Sequence, residues 1–243
     1  MALLAMSDIH GCFNEFTQML DLIKFDFVSD TLVLCGDYID HGTQSYEMVD
    51  WLIKHQNPHL IVLRGNHEEE FIHNVNLLLS IIHISDLLLT CEKLNKVYPF
   101  FDYYGTIRDL IKRYHFTIDD LVDWKNYFQN LRLSYKHMVY DGRAIFCHAG
   151  FIKHNSEQYP EFKEYALYNR GLSYLSNYIV VYGHTPTVLK NTIFFNDGNV
   201  YCFKDEKKHV CNYNIDCGIA FKNKYSNAKL ACLCLDNKEV FYI

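Results

Sequence analysis

The 243-residue chain has no CxxC pair among its nine cysteines, no excess of positive charge and no apolar run long enough to cross a bilayer. Each absence removes a class of protein. Scattered cysteines in odd number do not read as a disulfide framework or a thiolate metal site. They are expected to be free thiols in a reducing compartment. Cys232 and Cys234, the closest pair, would share one face of a strand. The greasiest stretch, NLLLSIIHISDLLL, is too short and too polar for a membrane span. MALLAM runs into SDIHG after six residues, which is too short for a secretory leader. A cytoplasmic protein with no membrane partner is expected. With 23 basic against 29 acidic residues, the net charge of -6 disfavours a nucleic-acid scaffold held by charge. Repeats, low-complexity tracts and linkers are also missing, so one domain over residues 1–243 is expected.

What is present is a globular composition, 49% hydrophobic and 21% charged. Short apolar runs recur as ALLAM, TLVLC, LIVL, AIFC and YIVVY. Continuous runs of this length fit strands buried on both faces. Each ends in a polar, glycine-bearing cluster: SDIHG, GDYIDHG, RGNHEE, HAG and GHTP. Ligands of α/β proteins bind outside strand ends, so five such clusters suggest one shared site.

FNEFTQMLDLIKF and QSYEMVDWLIKHQ carry apolar residues at helical spacing between the first runs, giving βαβαβ. Residues 69–135 are helical in period with no strong strand signal, and read as a helical cap inserted between strands. Asp119, Asp120 and Asp123 fit the solvated first turn of a helix better than a metal cluster. The last third reads as strands: NTIFFN, NVYCF, VCNYNID, KLACLCLD and EVFYI, with NDGN as a hairpin turn. They are expected to form an antiparallel sheet packed on the first.

The clusters supply Asp8 and His10, then Asp37, then Asn66 and His67, then His148, then His184. This oxygen and imidazole set needs no thiolate, suits Mn, Fe or Zn, and can hold two ions. Alternate residues leave a strand end on the same side, so Asp8 and His10 can grip one ion. The two oxygens of Asp37 can bridge ions about 3.5–4 Å apart. Asn66, His148 and His184 complete the second position. Arg64 reads as a structural pairing residue.

In this order the motifs resemble the calcineurin-like metallophosphoesterases, specifically the compact bacterial members of the phosphoprotein phosphatase branch. NIDCG with KLACLCLD, and YYGTIRDL in the cap, are similar to further segments of those chains. The resemblance implies two mixed β-sheets packed as a sandwich flanked by helices, with a helical cap. It implies two divalent metal ions, manganese first with iron or zinc as alternatives, and a metal-bridging hydroxide that attacks phosphorus in line. His67 is implied as the general acid and Asp40 as the carboxylate that holds its other ring nitrogen, raising its pKa. No cysteine is followed by five residues and then arginine, so a cysteine-dependent phosphatase is excluded.

His41 departs from the resemblance, because similar chains carry a phosphate-clamping arginine there. Imidazole offers at most two donors and is charged only below its pKa. Three roles stay open: a phosphate contact when protonated, a solvent-facing turn residue, or the mark of a catalytically weakened phosphate-binding protein. The complete ligand set favours an enzyme that is weakened but active. Arg170 occupies the place of a second phosphate-clamping arginine. The expected function is a serine/threonine-type phosphoprotein phosphatase, the alternative a symmetrical diadenosine tetraphosphate hydrolase. Similar hydrolases usually lack the second carboxylate of the GDxxD turn, and the presence of Asp40 puts the phosphatase first. The expected partner is a phosphorylated protein or a small phosphate ester.

Overall fold

The computed structural model describes residues 2–81, 86–140, 142–152 and 160–243. His83 and His154, histidines with no assigned role, lie outside the described residues, as does part of the expected cap. The first third is βαβαβ: β1 Leu3–Met6, α1 Phe13–Ile23, β2 Thr31–Leu34, α2 Ser45–Lys54 and β3 Leu60–Val62. Four helices follow: α3 Asn66–Leu79, α4 Leu87–Val97, α5 Thr106–Tyr114 and α6 Ile118–Gln129. Then come β4 Ser134–Val139, β5 Gly142–Cys147, α7 Pro160–Tyr168 and β6 Tyr178–Tyr182. The chain ends with β7 Tyr201–Asp205, β8 Val210–Asn214, β9 Ala231–Cys234 and β10 Val240–Tyr242.

Two five-stranded mixed sheets result, ordered β10-β9-β1-β2-β3 and β4-β5-β6-β8-β7. In the first, β1 pairs parallel with β2, setting Ala5 opposite Val33, and β2 pairs parallel with β3. In the second, β5, β6 and β8 are parallel, and β4 and β7 are antiparallel edges. Side chains alternate across each strand. Leu3, Ala5 and Val33 therefore meet Ala144, Phe146 and Val181 between the sheets. Leu4, Met6, Leu32 and Leu34 face the helices instead. Phe16 and Met19 are the buried stripe of α1. Fully burying a side chain of that size stabilises by roughly 1.5–3 kcal/mol.

α6 starts at a capping box in which Thr117 accepts from Asp120 N–H and Asp120 accepts from Thr117 N–H. Asp119 and Asp120 thus occupy the helix first turn as expected, while Asp123, expected with them, falls in the second turn. The last third departs from expectation in two ways. Its strands do not make a sheet of their own: β7 and β8 extend the second sheet, while β9 and β10 return to the first beside β1. NTIFFN and NDGN form turns without strand pairing, with Phe194 buried and Ile193 and Phe195 exposed.

Candidate metal centre

The five clusters sit at the ends of β1, β2, β3, β5 and β6, and their backbone is bent to aim side chains at a common point. Asp8, His10, Asp37, Asp40, His41 and His184 all have positive φ, between 49° and 70°. Non-glycine residues rarely hold this conformation without surrounding support. The support is a ladder between loops: Asp8 N–H donates to Gly36 O, His10 N–H to Asp37 O at 2.9 Å, and Gly11 N–H to Tyr38 O at 2.7 Å. Glu68 adds to it from the first turn of α3. Its buried carboxylate accepts from the backbone N–H of Asp37, Tyr38 and Gly65. Gly183 is required by close approach, since a Cβ there would stand 1.9 Å from Asp8 Oδ2.

His10 Nε2 lies 3.6 Å from Asp37 Oδ2 and 4.0 Å from Asp8 Oδ1. His148 Nε2 lies 3.4 Å from the same Asp37 oxygen, 2.9 Å from Asn66 Oδ1 and 3.1 Å from His184 Nδ1. The six expected ligands therefore converge, with Asp37 between two groups: Asp8, His10 and Asp37, and Asp37, His148 and His184. The donor set fits cations. His10 Nδ1 is anchored to Ile39 O at 2.9 Å and His148 Nδ1 to Cys35 O at 3.0 Å, leaving each Nε2 lone pair turned inward. Electron-pair donors of several residues then face one another, an arrangement that a bound ion resolves. Burial holds the imidazoles neutral, pushing His10 and His148 down and His184 down to about 2. Burial also pushes Asp8 and Asp37 up to about 6.

Beside this centre, His67 Nδ1 lies 2.6 Å from Asp40 Oδ2. The second Asp40 oxygen accepts from the Thr106 hydroxyl, and Asp40 N–H donates to Ser45 Oγ. Burial opposes charge on His67, but Asp37 and the Asp40 hydrogen bond outweigh it and raise the imidazole to about 10. His67 Nε2 is thus the free, proton-bearing end, 3.7 Å from Asp37 Oδ2.

The model of the calcineurin-like phosphoesterase family matches residues 1–220. The chain belongs to the calcineurin-like phosphoesterases. The family is one of phosphoesterases, and the two groups that meet at Asp37 are candidate positions for metal ions. Over 152 residues it is 30% identical to a symmetrical bis(5'-nucleosyl)-tetraphosphatase of Nitrosospira multiformis, a match covering 63% of this chain and 44% of that one. The matches span less than half the length of these curated relatives. A solved structure provisionally described as a diadenosine tetraphosphatase superposes with TM-score 0.58 at 16% identity, covering 99% of this chain and 92% of the other. A serine/threonine phosphatase of Saccharomyces cerevisiae superposes with TM-score 0.53 at 13% identity, covering 99% and 78%. At such identities these two structures speak to the fold alone.

In this calcineurin-like phosphoesterase the remaining expected residues also reach the site. The Arg170 Nη1 donates to His184 O at 3.4 Å, which puts the guanidinium at the rim. His41 stands over the centre, its ring 4.7 Å from His10, 5.5 Å from His67 and 4.3 Å from Tyr104 between centroids. Arg64 pairs with Glu69 at 3.1 Å, a structural role as expected. Cys12, Cys35, Cys147 and Cys217 are buried free thiols. Sequence reasoning did not single out Glu68, Thr106 or Asp216, although each lies inside a quoted motif. Asp216 is buried beside the centre, and burial together with Asp8 raises its carboxyl well above the usual range. A groove of about 1320 Å³ lies near the centre, lined in part by Glu70, Tyr98, Phe100, Tyr103, Tyr104 and Tyr168. Among the described residues, no helix is long and apolar enough to cross a membrane.

Proposed function

We propose that the chain hydrolyses symmetrical dinucleoside tetraphosphates, splitting a central phosphoanhydride with water, and that one domain over residues 1–243 carries the activity. The observation behind this choice is the aromatic groove. Tyr104 lines it while its ring lies 5.0 Å from that of His67, so one wall of the groove stands beside the general-acid end of the centre. Aromatic side chains offer stacking faces to any base, worth about 1–3 kcal/mol per base. The curated relatives are tetraphosphatases by name. That support moves the phosphoprotein reading, first on sequence grounds, into second place.

Asp8, His10 and Asp37 would hold one divalent cation, and Asp37, Asn66, His148 and His184 the other. The carboxylate-rich first position suits manganese, and the imidazole-rich second also suits iron or zinc. When bound, such a pair activates a shared water near neutral pH and offsets the charge of phosphoryl oxygens. His67, kept protonated by Asp40, donates from Nε2 to the leaving oxygen. Arg170 fixes a phosphoryl oxygen from the rim beside His184, and His41 contributes a weaker contact from above. Burial of Asp8, Asp37 and His148 keeps bulk water from competing with the reacting one.

A phosphomonoesterase acting on phosphoprotein remains the second reading, favoured by the Asp40–His67 pair. An alkoxide leaving group needs a proton more than a nucleoside diphosphate does. The test is a side-by-side assay of manganese-loaded protein on diadenosine tetraphosphate, p-nitrophenyl phosphate and phospho-Ser, Thr and Tyr peptides. The dinucleotide should give the highest kcat/KM. Faster turnover of any peptide would overturn the first reading in favour of the second.

A further inference from the structure

Three imidazoles meet at the mouth of the centre, and only His10 belongs to the ligand set already described. His10, His41 and His67 each offer a ring nitrogen, and these atoms lie within 4.8 Å of one another. The ring centroids are 4.7 Å apart for His10 with His41, 4.7 Å for His10 with His67 and 5.5 Å for His41 with His67. His10 and His67 are oriented as zinc-binding histidines usually are, with Nδ1 tied to an oxygen and Nε2 free. The oxygens are Ile39 O at 2.9 Å and Asp40 Oδ2 at 2.6 Å. The His41 ring has no hydrogen-bond partner among the described residues. Packing positions it instead, with Tyr104 at 4.3 Å and Phe221 at 5.5 Å between centroids. Positive φ at both Asp40 and His41 turns the chain back so that residue 41 overhangs His10.

We propose that His10, His41 and His67 form an alternative, all-imidazole site, overlapping the first ion position at His10, for a borderline transition-metal ion, zinc above all, whose filling switches the enzyme off. Three imidazoles with a position left for water are a well-suited zinc set. Manganese, which favours oxygen ligands, selects the position flanked by Asp8 and Asp37 instead. His10 Nε2 serves one position or the other, so the two are exclusive. Coordination of His67 through Nε2 releases the proton of that nitrogen to solvent and leaves none for a leaving group. Arginine at residue 41 removes the third ligand, so the site is a consequence of the histidine at that position. The inference does not depend on which phosphate ester is the substrate.

The experiment is zinc K-edge X-ray absorption on metal-stripped full-length protein given two equivalents of zinc, in the wild type, His41→Arg and His41→Ala. With zinc in the imidazole site and in the second position, the ions carry three and two imidazoles, an average of about 2.5 per zinc. With zinc in the two carboxylate-containing positions the average is about 1.5. Wild type is expected at the higher value and both variants at the lower, a loss of about one imidazole per zinc. The spin-coupled signal of the manganese-loaded proteins, read on the same three samples, shows that each variant folds and keeps its ion pair. A wild-type value near the variants' value overturns the inference, whether the shared value is high or low.

Discussion

His67 and Asp40 form a charge-assisted pair at 2.6 Å, and the Thr106 hydroxyl, delivered by the cap, takes the other Asp40 oxygen. The pair therefore depends on three separate segments of chain. Asp40→Asn removes the charge while leaving the shape. We expect kcat to fall by about 10²–10⁴ for alkyl phosphomonoesters, the usual worth of a general acid. The loss should be smaller for p-nitrophenyl phosphate, whose leaving group needs little protonation. The basic limb of the kcat profile should move to lower pH, because without Asp40 the imidazole loses its proton sooner. Equal losses on both esters, with no movement of the limb, would mean that His67 is not the acid.

Gly183→Ala tests the packing of the first ion position. The added methyl would sit 1.9 Å from Asp8 Oδ2 and 2.3 Å from Ser7 Oγ, so the Asp8 carboxylate has to move. Manganese affinity at that position should drop about 10–100-fold, as when a ligand's support is removed. Manganese titration followed by electron paramagnetic resonance reads the loss. Unchanged occupancy would show that Asp8 is not a ligand.

Proton release on metal binding should change with pH in a definite sense. Asp8 and Asp37, at about 6 in the metal-free protein, are mostly protonated at pH 5 and mostly ionised at pH 8. Cations need the carboxylates, so these two groups give up about two protons at pH 5 and close to none at pH 8, where the proton released is that of the shared water. His10, pushed down by burial, and His184, at about 2, are already neutral and add little. Calorimetric titration in buffers of different ionisation heat measures the count. Equal release at both pH values would contradict ligation by these two carboxylates.

His41→Arg, in manganese-loaded protein, should lower KM for phosphomonoesters, because a guanidinium fork grips a phosphoryl oxygen better than a neutral imidazole. Burial and neighbouring His67 push His41 down to about 4, so it carries little charge at neutral pH. Steady-state kinetics decides; an unchanged or raised KM would show that residue 41 does not face the substrate.

Much of this arrangement is legible in sequence because its chemistry is local. Asp8 and His10, Asp37 and Asp40, and Asn66 and His67 each sit in one short motif at one strand end, although left-handed turns beyond β1, and not the strand alternation expected for Asp8 and His10, set their joint direction. The cap helices are visible from periodicity. What is illegible is non-local. β9 and β10 cross back beside β1, a pairing that no neighbouring residue encodes. Glu68 reads as one acid in a run of three, and its partners at residues 37 and 38 become neighbours only after β2 and β3 pair. NTIFFN has strand composition, yet only Phe194 finds the interior, and without pairing partners the segment stays a turn. β4 escapes notice for the opposite reason: SYKHMV is an edge strand, mostly polar, and antiparallel pairing to β5 carries it.

Asp8, His10, Asp37 and Asn66 descend from one layer of the molecule, and His148 and His184 from the other. Any ion gripped by both sets works as a clasp between layers, added to the hydrogen bonds by which His148 reaches Cys35 O and the His184 N–H reaches the Asp8 carboxylate. Chelation would then do more than silence the chemistry, because it unfastens the seam and exposes the two layers to shear. Cation supply would thereby govern how long the protein survives heat, as well as how fast it turns over.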